Sequence, residues 1–376
     1  MFFSGSAQNT LDTLKEILDD LDVVGREPGR SAASAKIVQK VKNTMSDRHA
    51  AEKLFCDYLS EYRAEILPSV VSGWEEVCET EQEQLMRMNN FFCGLHFLVG
   101  LAESAEATLK AWEVTLEEDN ERDKRSSGVQ RLVRTACKAF HHRGSQQAGC
   151  STYFRTYLRR QGITKIPLAA FVGNRFNILF YDAAGVYFLR SHMECYLSEF
   201  HGSELNRLLQ AVLCDLRTPH LIAGCQALGI LDKIVTGPFW RHLQTSSVSV
   251  LDMSNTYTLM KQKFDEWGCD AQNLIENQDR LFEEHTHDDD VSESLFSQSS
   301  AYTMELLQLL CKSFARQLLN HLPGGQFHDV SDPQMITEAK SVPKTNVTSQ
   351  RDFAVLNRLY ATYIRSTGIN TTVFSK

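Results

Sequence analysis

The stretch SVPKTNVTSQRDF, from Ser341 to Phe353, decides how the end of this chain is interpreted. It contains Val342-Pro343, and proline both lacks an amide hydrogen and disfavours helix in the residue before it. A short loop is therefore predicted at its beginning. Apolar residues then recur at helical spacing, which predicts a helix over 350–365. The stretch thus predicts a loop that delivers Gln350 to the start of a terminal helix.

The rest of the chain has mostly the period of amphipathic helices. Leu11, Leu14, Leu18 and Leu21 lie three or four residues apart, which predicts one apolar helix face. A short extended segment is expected over 44–47. Further helical patterns occupy 48–67, 79–118, 129–142, 150–161, 174–200, 204–216, 219–234 and 301–321. The predicted fold class is mainly α with a small mixed α/β part.

Composition places the chain among globular proteins, with 43% hydrophobic and 23% charged residues in a length of 376. No apolar run approaches the roughly 20 residues that span a membrane, and the N-terminal sequence lacks the features of a secretory signal. The ten cysteines are scattered and none forms a Cys-x-x-Cys pair. This pattern favours free thiols over a disulfide framework or a structural zinc module. The predicted localisation is nuclear or cytoplasmic, without a membrane partner.

Charge is distributed unevenly along the sequence. The net charge is −8, yet residues 124–181 contain 11 Lys or Arg and no Asp or Glu. The remaining residues therefore carry 28 basic against 47 acidic side chains. A basic block on an acidic protein is a charge asymmetry that electrostatic binding can use.

Within this block, basic residues recur at helical spacing and stand beside Tyr153 and Tyr157. Arginine with aromatic rings suits phosphate contact and stacking on exposed bases. The candidate nucleic-acid contacts are Arg131, Arg134, Lys138, Arg155, Arg159 and Arg160. The alternative is that these are solvated helix faces paired with the acidic remainder of the chain, including 117–119.

Four short features are candidates for chemistry: Asp47 after Thr-Met-Ser, Cys93-Gly-Leu-His96, Asn174-Arg-Phe-Asn177, and the stretch quoted above. Each alone also has a structural explanation. Asp47 suits a helix N-cap. Cys93 and His96 suit the core of an apolar helix, and Arg175 suits a surface position with a buried stem.

In this order, the four features resemble the hAT-type cut-and-paste DNA transposases over about residues 40–360. The resemblance implies a partial ribonuclease H-like core interrupted by a large helical insertion. It implies that Asp47 is the second catalytic acid and that Cys93 and His96 form the family's Cys-x-x-His helix. Arg175 is similar to the arginine of the family's Arg-Trp pair, here followed by phenylalanine, and joins the candidate nucleic-acid contacts.

The resemblance also implies that the loop and helix at 342–353 present the last catalytic acid, but that position holds Gln350. Such enzymes work through two divalent ions roughly 3.5–4 Å apart, and magnesium prefers carboxylate oxygens. A neutral amide removes one negative charge from this cage. A first acid is expected on a strand upstream of Asp47. The acids there, however, lie in or just after a predicted amphipathic helix: Asp12, Asp19, Asp20 and Asp22.

The implied protein is a truncated and degenerate relative whose metal cage is broken. No cofactor is expected, and magnesium or manganese would be needed only if catalysis survives. The implied domains are 1–118, the N-terminal part of the core; 119–300, the helical insertion with the basic block; and 301–376, the C-terminal return with a frayed tail.

Three functions follow from these observations. The preferred one is a transposase-derived, catalytically inactive protein with residual DNA binding. The alternative is a helical protein-interaction module without a nucleic-acid role, and the third is an active metal-dependent nuclease. DNA and a second copy of the chain are the candidate partners. His285, His287 and 288–290 could form a metal site, but their polar surroundings favour a solvated loop and no metal.

Overall fold

The computed structural model describes residues 6–24, 33–47, 49–116, 126–145, 147–171, 176–202, 204–245, 247–316, 321–347 and 355. These residues are mainly helical and contain one two-stranded sheet. The prediction of a mainly α fold with a small α/β part is confirmed. Two strands do not show a ribonuclease H-like core.

The elements follow one another as helices with two short strands between them. In chain order they are α1 (Ala7–Val24), α2 (Ala33–Lys40), β1 (Asn43–Ser46), α3 (Ala50–Val70), α4 (Glu79–Met86), β2 (Asn89–Phe92), α5 (Gly94–Leu116), α6 (Gly128–Phe140), α7 (Ser151–Arg160), α8 (Ile178–Cys195), α9 (Arg207–Leu216), α10 (Pro219–Leu231), α11 (Gly237–Thr245), α12 (Met253–Cys269), α13 (Gln272–Ile275), α14 (Asp290–Phe296), α15 (Ala301–Phe314) and α16 (Pro333–Ala339). π-Helical turns, Tyr196–Phe200 and Asp232–Thr236, follow α8 and α10 directly.

The chain forms two compact units. The first combines Met1–Gly94 with Ser331–Lys376, and the second is Leu95–Val330. These boundaries differ from the predicted divisions at 118 and 300. Most of α5 belongs to the second unit, and so does α15, which packs against α10 and α12.

In the first unit, β1 and β2 pair in parallel with Ser46 opposite Phe92. Parallel strands need a crossover, which α3 and α4 supply. Arg63 of α3 is fully buried and donates to the carbonyls of Leu85 and Met86 at 2.6 and 3.0 Å. These bonds supply part of the hydrogen bonding that a buried charge requires.

Strand β2 corrects one prediction, because the sequence indicated a continuous amphipathic region over 79–118. The structure divides that region into α4, β2 and α5. Four residues, Asn-Asn-Phe-Phe, are too short to show a strand period between two apolar helices. In β2, alternate residues are nevertheless buried, as expected for a strand.

The second unit is built around α10, which is buried on nearly every side from Leu221 to Leu231. A helix without a polar face belongs in a core. It packs against α8, α15 and α6. Gly229 permits the close approach of α8, because a Cβ there would lie 2.9 Å from the Cα of Ala184. In the described part of the chain, no helix combines the length and apolarity needed to cross a membrane.

Candidate nucleic-acid interface

Asp47 lies at the junction predicted for it, directly after β1 and before α3. Its Oδ1 accepts the amide hydrogen of His49 at 2.8 Å. His49 in turn caps α3 through Nδ1, which accepts from the Ala51 amide at 3.4 Å. The N-cap of α3 is therefore His49 and not Asp47, and Asp47 instead forms the turn that precedes the helix.

The C-terminal segment lies along the strand pair. At the beginning of the strands, Nδ2 of Asn43 donates to the carbonyl of Glu338 at 2.9 Å. At their end, Sγ of Cys93 lies 3.1 Å from Oδ1 of Asn346, and the Gly94 amide donates to the carbonyl of Lys344 at 3.0 Å. The described part of the opening stretch, 341–347, thus runs toward the sheet edge at which β1 ends, immediately before Asp47. Gln350 itself lies outside the described residues.

Among the described residues before β1, no acid lies on a strand. The upstream acids Asp12, Asp19, Asp20 and Asp22 all belong to α1, not to a strand. Asp22 accepts from the amide of Ser34 at 2.8 Å. Across the described ranges, no group of three or more His, Cys, Asp or Glu side chains could hold a metal ion.

Two of the other motif residues come together in the second unit. The rings of His96 and Phe176 meet edge-on with centroids 5.9 Å apart. Phe176 also meets Trp240 at 5.3 Å. Arg175 lies outside the described residues.

Helix α6, which carries the first basic residues, is fixed at its N-terminus by α5. Oγ of Ser127 accepts the Gln130 amide at 3.1 Å. Glu113 of α5 accepts the amides of Gly128 and Val129 at 2.6 and 3.0 Å. Burial raises the pKa of Glu113, and these amide bonds oppose the increase. The helix N-terminus, a favourable site for an anion, is therefore already occupied by a carboxylate.

Arg131 faces inward and forms a bidentate ion pair with Asp215 of α9. Its Nε and Nη2 donate to Oδ2 and Oδ1 at 3.0 and 2.9 Å. The carboxylate side chain is 8% exposed and the arginine side chain 22%. The pair links α6 to α9, so Arg131 differs from the other predicted contacts.

The remaining basic side chains of α6, α7 and their connecting loop stand at the surface. We define them as the basic surface: Arg134, Lys138, Arg143, Arg155, Arg159 and Arg160. Arg155 is half-buried and the other five are exposed. Among the residues described, none forms an ion pair with any of the six. The acids at 117–119, named as alternative partners, lie outside the described residues.

The two basic helices are held together by packing and by a tight loop. Phe140 of α6 and Phe154 of α7 have ring centroids 4.4 Å apart. Gly149 lies so close to the preceding chain that a Cβ would be 2.5 Å from the carbonyl oxygen of Ser145. Burial lowers the pKa of His141, and the positive charges of His142, Arg143 and Arg155 lower it further. The loop and α7 therefore both place positive charge at the end of α6.

The acidic loop near His285 is engaged with the protein itself. Asp288 pairs with Arg280 at 3.0 Å, and both oxygens of Asp289 bond Nζ of Lys233 at 2.8 Å. Asp289 also caps α14 through the Ser292 amide at 2.9 Å. These contacts give the acids structural roles.

A cavity of about 260 Å³ in the second unit contains a buried acid that the sequence analysis missed. Asp232 accepts from Nδ2 of Asn177 at 2.6 Å. Burial raises the pKa of Asp232 to about 6, against the opposing effects of Lys233, Asn177 and Arg241. The available signal was a single acid within the apolar run Gly-Ile-Leu-Asp-Lys-Ile-Val, 229–235.

Asp182 is a second buried acid outside the predicted set. Its Oδ1 accepts the amide of Ala169 at 2.6 Å, which fixes the chain before α8. Burial raises the pKa of Asp182 to about 7, while the bonds from Ala169 and Cys137 oppose that increase.

Comparison with protein-family models, curated protein sequences and solved structures finds no match to this chain.

Proposed function

We propose that this protein is a transposase-derived, catalytically inactive DNA-binding protein, related to the hAT-type transposases. The observation that carries the binding function is the basic surface, whose six side chains have no ion-pair partner among the described residues. Arg131, which has the buried partner Asp215, is not part of it.

Cations on adjacent helices that have no ion-pair partner among the described residues favour DNA, because they can contact its phosphates. Each neutralised phosphate releases counterions, and log affinity falls with log salt at a slope of about −0.9 per contact. One contact from each of the five exposed members of the basic surface gives an expected slope near −4.5, or roughly a 500-fold loss of affinity between about 50 and 200 mM salt. A protein that uses these residues only to stay soluble would show no such dependence.

The test is fluorescence anisotropy with a labelled DNA duplex over a salt series. A triple variant, Arg134→Gln, Lys138→Gln and Arg159→Gln, should make the slope shallower by about 2.7. The matched control, Arg217→Gln, Lys261→Gln and Arg280→Gln, removes the same charge from side chains that are ion-paired. It should leave the slope unchanged. Absence of binding at low salt, or equal losses in both triple variants, would refute DNA binding by this surface.

The inactive part of the proposal rests on the ligands available at the strand edge. Asp47 supplies one carboxylate, Gln350 is neutral, and the upstream acids of α1 lie on a helix. We expect no strand cleavage with magnesium or manganese. Metal-dependent cleavage that Asp47→Ala abolishes would contradict this expectation.

A protein-interaction module is the second candidate, favoured by α1. Ile17 and Leu21 lie one turn apart and are exposed, while Leu11 and Leu18 pack inward. An exposed apolar stripe suits a partner helix. Co-purifying protein that survives nuclease treatment and is lost in Ile17→Gln with Leu21→Gln would favour this function over DNA binding.

A further inference from the structure

Three aromatic side chains form a ridge next to the basic surface. Tyr153 and Tyr157 belong to α7, and Phe200 ends the π-helical turn after α8. Tyr153 is 75% exposed and Phe200 is 56% exposed. The rings of Tyr157 and Phe200 have centroids 5.1 Å apart. Because the rings adjoin one another at the surface, they form an aromatic patch that can receive another apolar or aromatic group.

The ridge is held on a rigid base. Phe154 and Leu158, on the adjoining face of α7, are fully buried. Phe154 meets Tyr196 at 5.3 Å, and Tyr157 meets the same ring at 5.5 Å. Tyr196 itself is buried. The exposed rings are therefore positioned before any ligand arrives, which reduces the entropic cost of binding.

Positive charge lies directly beside the exposed rings. Arg160 follows Tyr153 by seven residues and Tyr157 by three, so all three share one side of α7. Arg159 is also exposed, but it follows Tyr157 by two residues and therefore lies on a different side of the helix. Burial raises the pKa of Tyr157, and Cys195 and the charge of Glu199 raise it further. Arg160 is therefore the cation of α7 that stands beside the rings.

We infer that the second unit binds single-stranded DNA, with bases stacked on Tyr153 and Phe200 and phosphate contacted by Arg160. This inference rests on the proposed DNA-binding function and names its substrate. A duplex hides the faces of its bases, so only an unpaired strand can use both the rings and Arg160. Aromatic stacking with an adjacent cationic track is the general means of binding single strands without reading their sequence.

The test compares a labelled oligo(dT) of about 20 nucleotides with a duplex of the same length, using the full chain. Wild type should bind the single strand at least about tenfold more tightly. Tyr153→Ala and Phe200→Ala should each lower single-strand affinity by roughly 5- to 100-fold, with duplex affinity changed less than about twofold. Tyr153→Phe should retain binding, because the ring remains.

A matched aromatic control lies elsewhere in the same unit. Tyr302 of α15 is 41% exposed, and Tyr302→Ala should leave both affinities unchanged. Glu199→Gln removes the neighbouring negative charge and should raise single-strand affinity by roughly twofold. Thermal melting of each variant verifies that the fold is kept.

The outcomes separate the inference from the proposed function. Equal affinity for both DNAs, or aromatic variants that bind like wild type, would overturn the single-strand inference and leave duplex binding in place. If neither DNA binds, both conclusions fail. A loss confined to oligo(dT) in the ridge variants supports the inference.

Discussion

Replacing Arg131 by methionine distinguishes a structural arginine from a DNA-binding one. The guanidinium makes two bonds of 3.0 and 2.9 Å to Asp215, whose carboxylate is 8% exposed. Removing one partner of a buried pair costs about 3–5 kcal/mol, because the other charge stays buried without compensation. Since Arg131 is itself 22% exposed, we expect the lower value, about 3 kcal/mol.

For a unit of this size, a loss of about 3 kcal/mol corresponds to a fall in melting temperature of roughly 6–12 °C. Circular dichroism on heating, supported by urea unfolding, measures it. A double variant, Arg131→Met with Asp215→Leu, should regain most of the lost stability because no uncompensated charge remains. In parallel, Arg131→Met should leave the salt slope of DNA binding unchanged.

Arg134→Met is the comparison on the same helix. Arg134 is exposed and has no ion-pair partner among the described residues, so its loss should change stability by less than about 0.5 kcal/mol. It should make the salt slope shallower by about 0.9. If Arg131→Met melted within about 1 °C of wild type and weakened DNA binding as much as Arg134→Met, the structural role assigned to Arg131 would be refuted.

Three further outcomes follow from buried contacts. Burial raises the pKa of Asp182 to about 7, so this carboxyl favours the folded state less as pH rises from about 4 to 7. In Asp182→Asn the side-chain oxygen can still accept the Ala169 amide. Measured by urea unfolding, this variant should be as stable as wild type near pH 4 and more stable at pH 8 by up to about 4 kcal/mol. Equal stability of the two proteins at pH 8 would contradict this. Gly185→Ala should lower stability by about 1–3 kcal/mol, because its Cβ would lie 1.8 Å from the carbonyl oxygen of Pro167; an unchanged melting curve would exclude the clash. Gly149→Ala should weaken DNA binding more than its loss of stability explains, since this glycine sets the loop between the basic helices. Anisotropy and melting measurements on the same variant test this, and a lowered melting temperature with unchanged DNA affinity would contradict it.

The hydrophobic period was enough to predict individual helices, but not the short strand that lies between two of them. The sequence predicted a helix over 150–161, and α7 is Ser151–Arg160. The extended segment expected over 44–47 is β1 at Asn43–Ser46. By contrast, β2 was missed because four residues carry too little period against apolar helices on both sides.

In the candidate site, the sequence likewise could not show which charged side chains are paired by residues from other helices. Helical spacing grouped Arg131 with Arg134 and Lys138, because spacing shows only which residues share a helix face. It cannot report that Asp215 comes from another helix to bind the first of them. Phe200 was missed for the same reason, since only the packing of α7 against the turn after α8 brings it to Tyr157.

Introducing an acid at position 350 tests whether fold and metal chemistry are separable in this chain. The described part of the C-terminal segment is held by the Gly94–Lys344 backbone bond and the Cys93–Asn346 contact, neither of which needs a metal. A metal cage is different, because its carboxylates repel one another until the ion is bound. Gln350→Glu alone should therefore leave the protein inactive with magnesium or manganese, as the described residues place no acid on a strand before β1. The measurement is nicking of supercoiled DNA over a metal series, with Asp47→Asn in the same background as control. Cleavage by Gln350→Glu that this control abolishes would show that a further acid reaches the strand edge, and the claim of a broken cage would then be wrong.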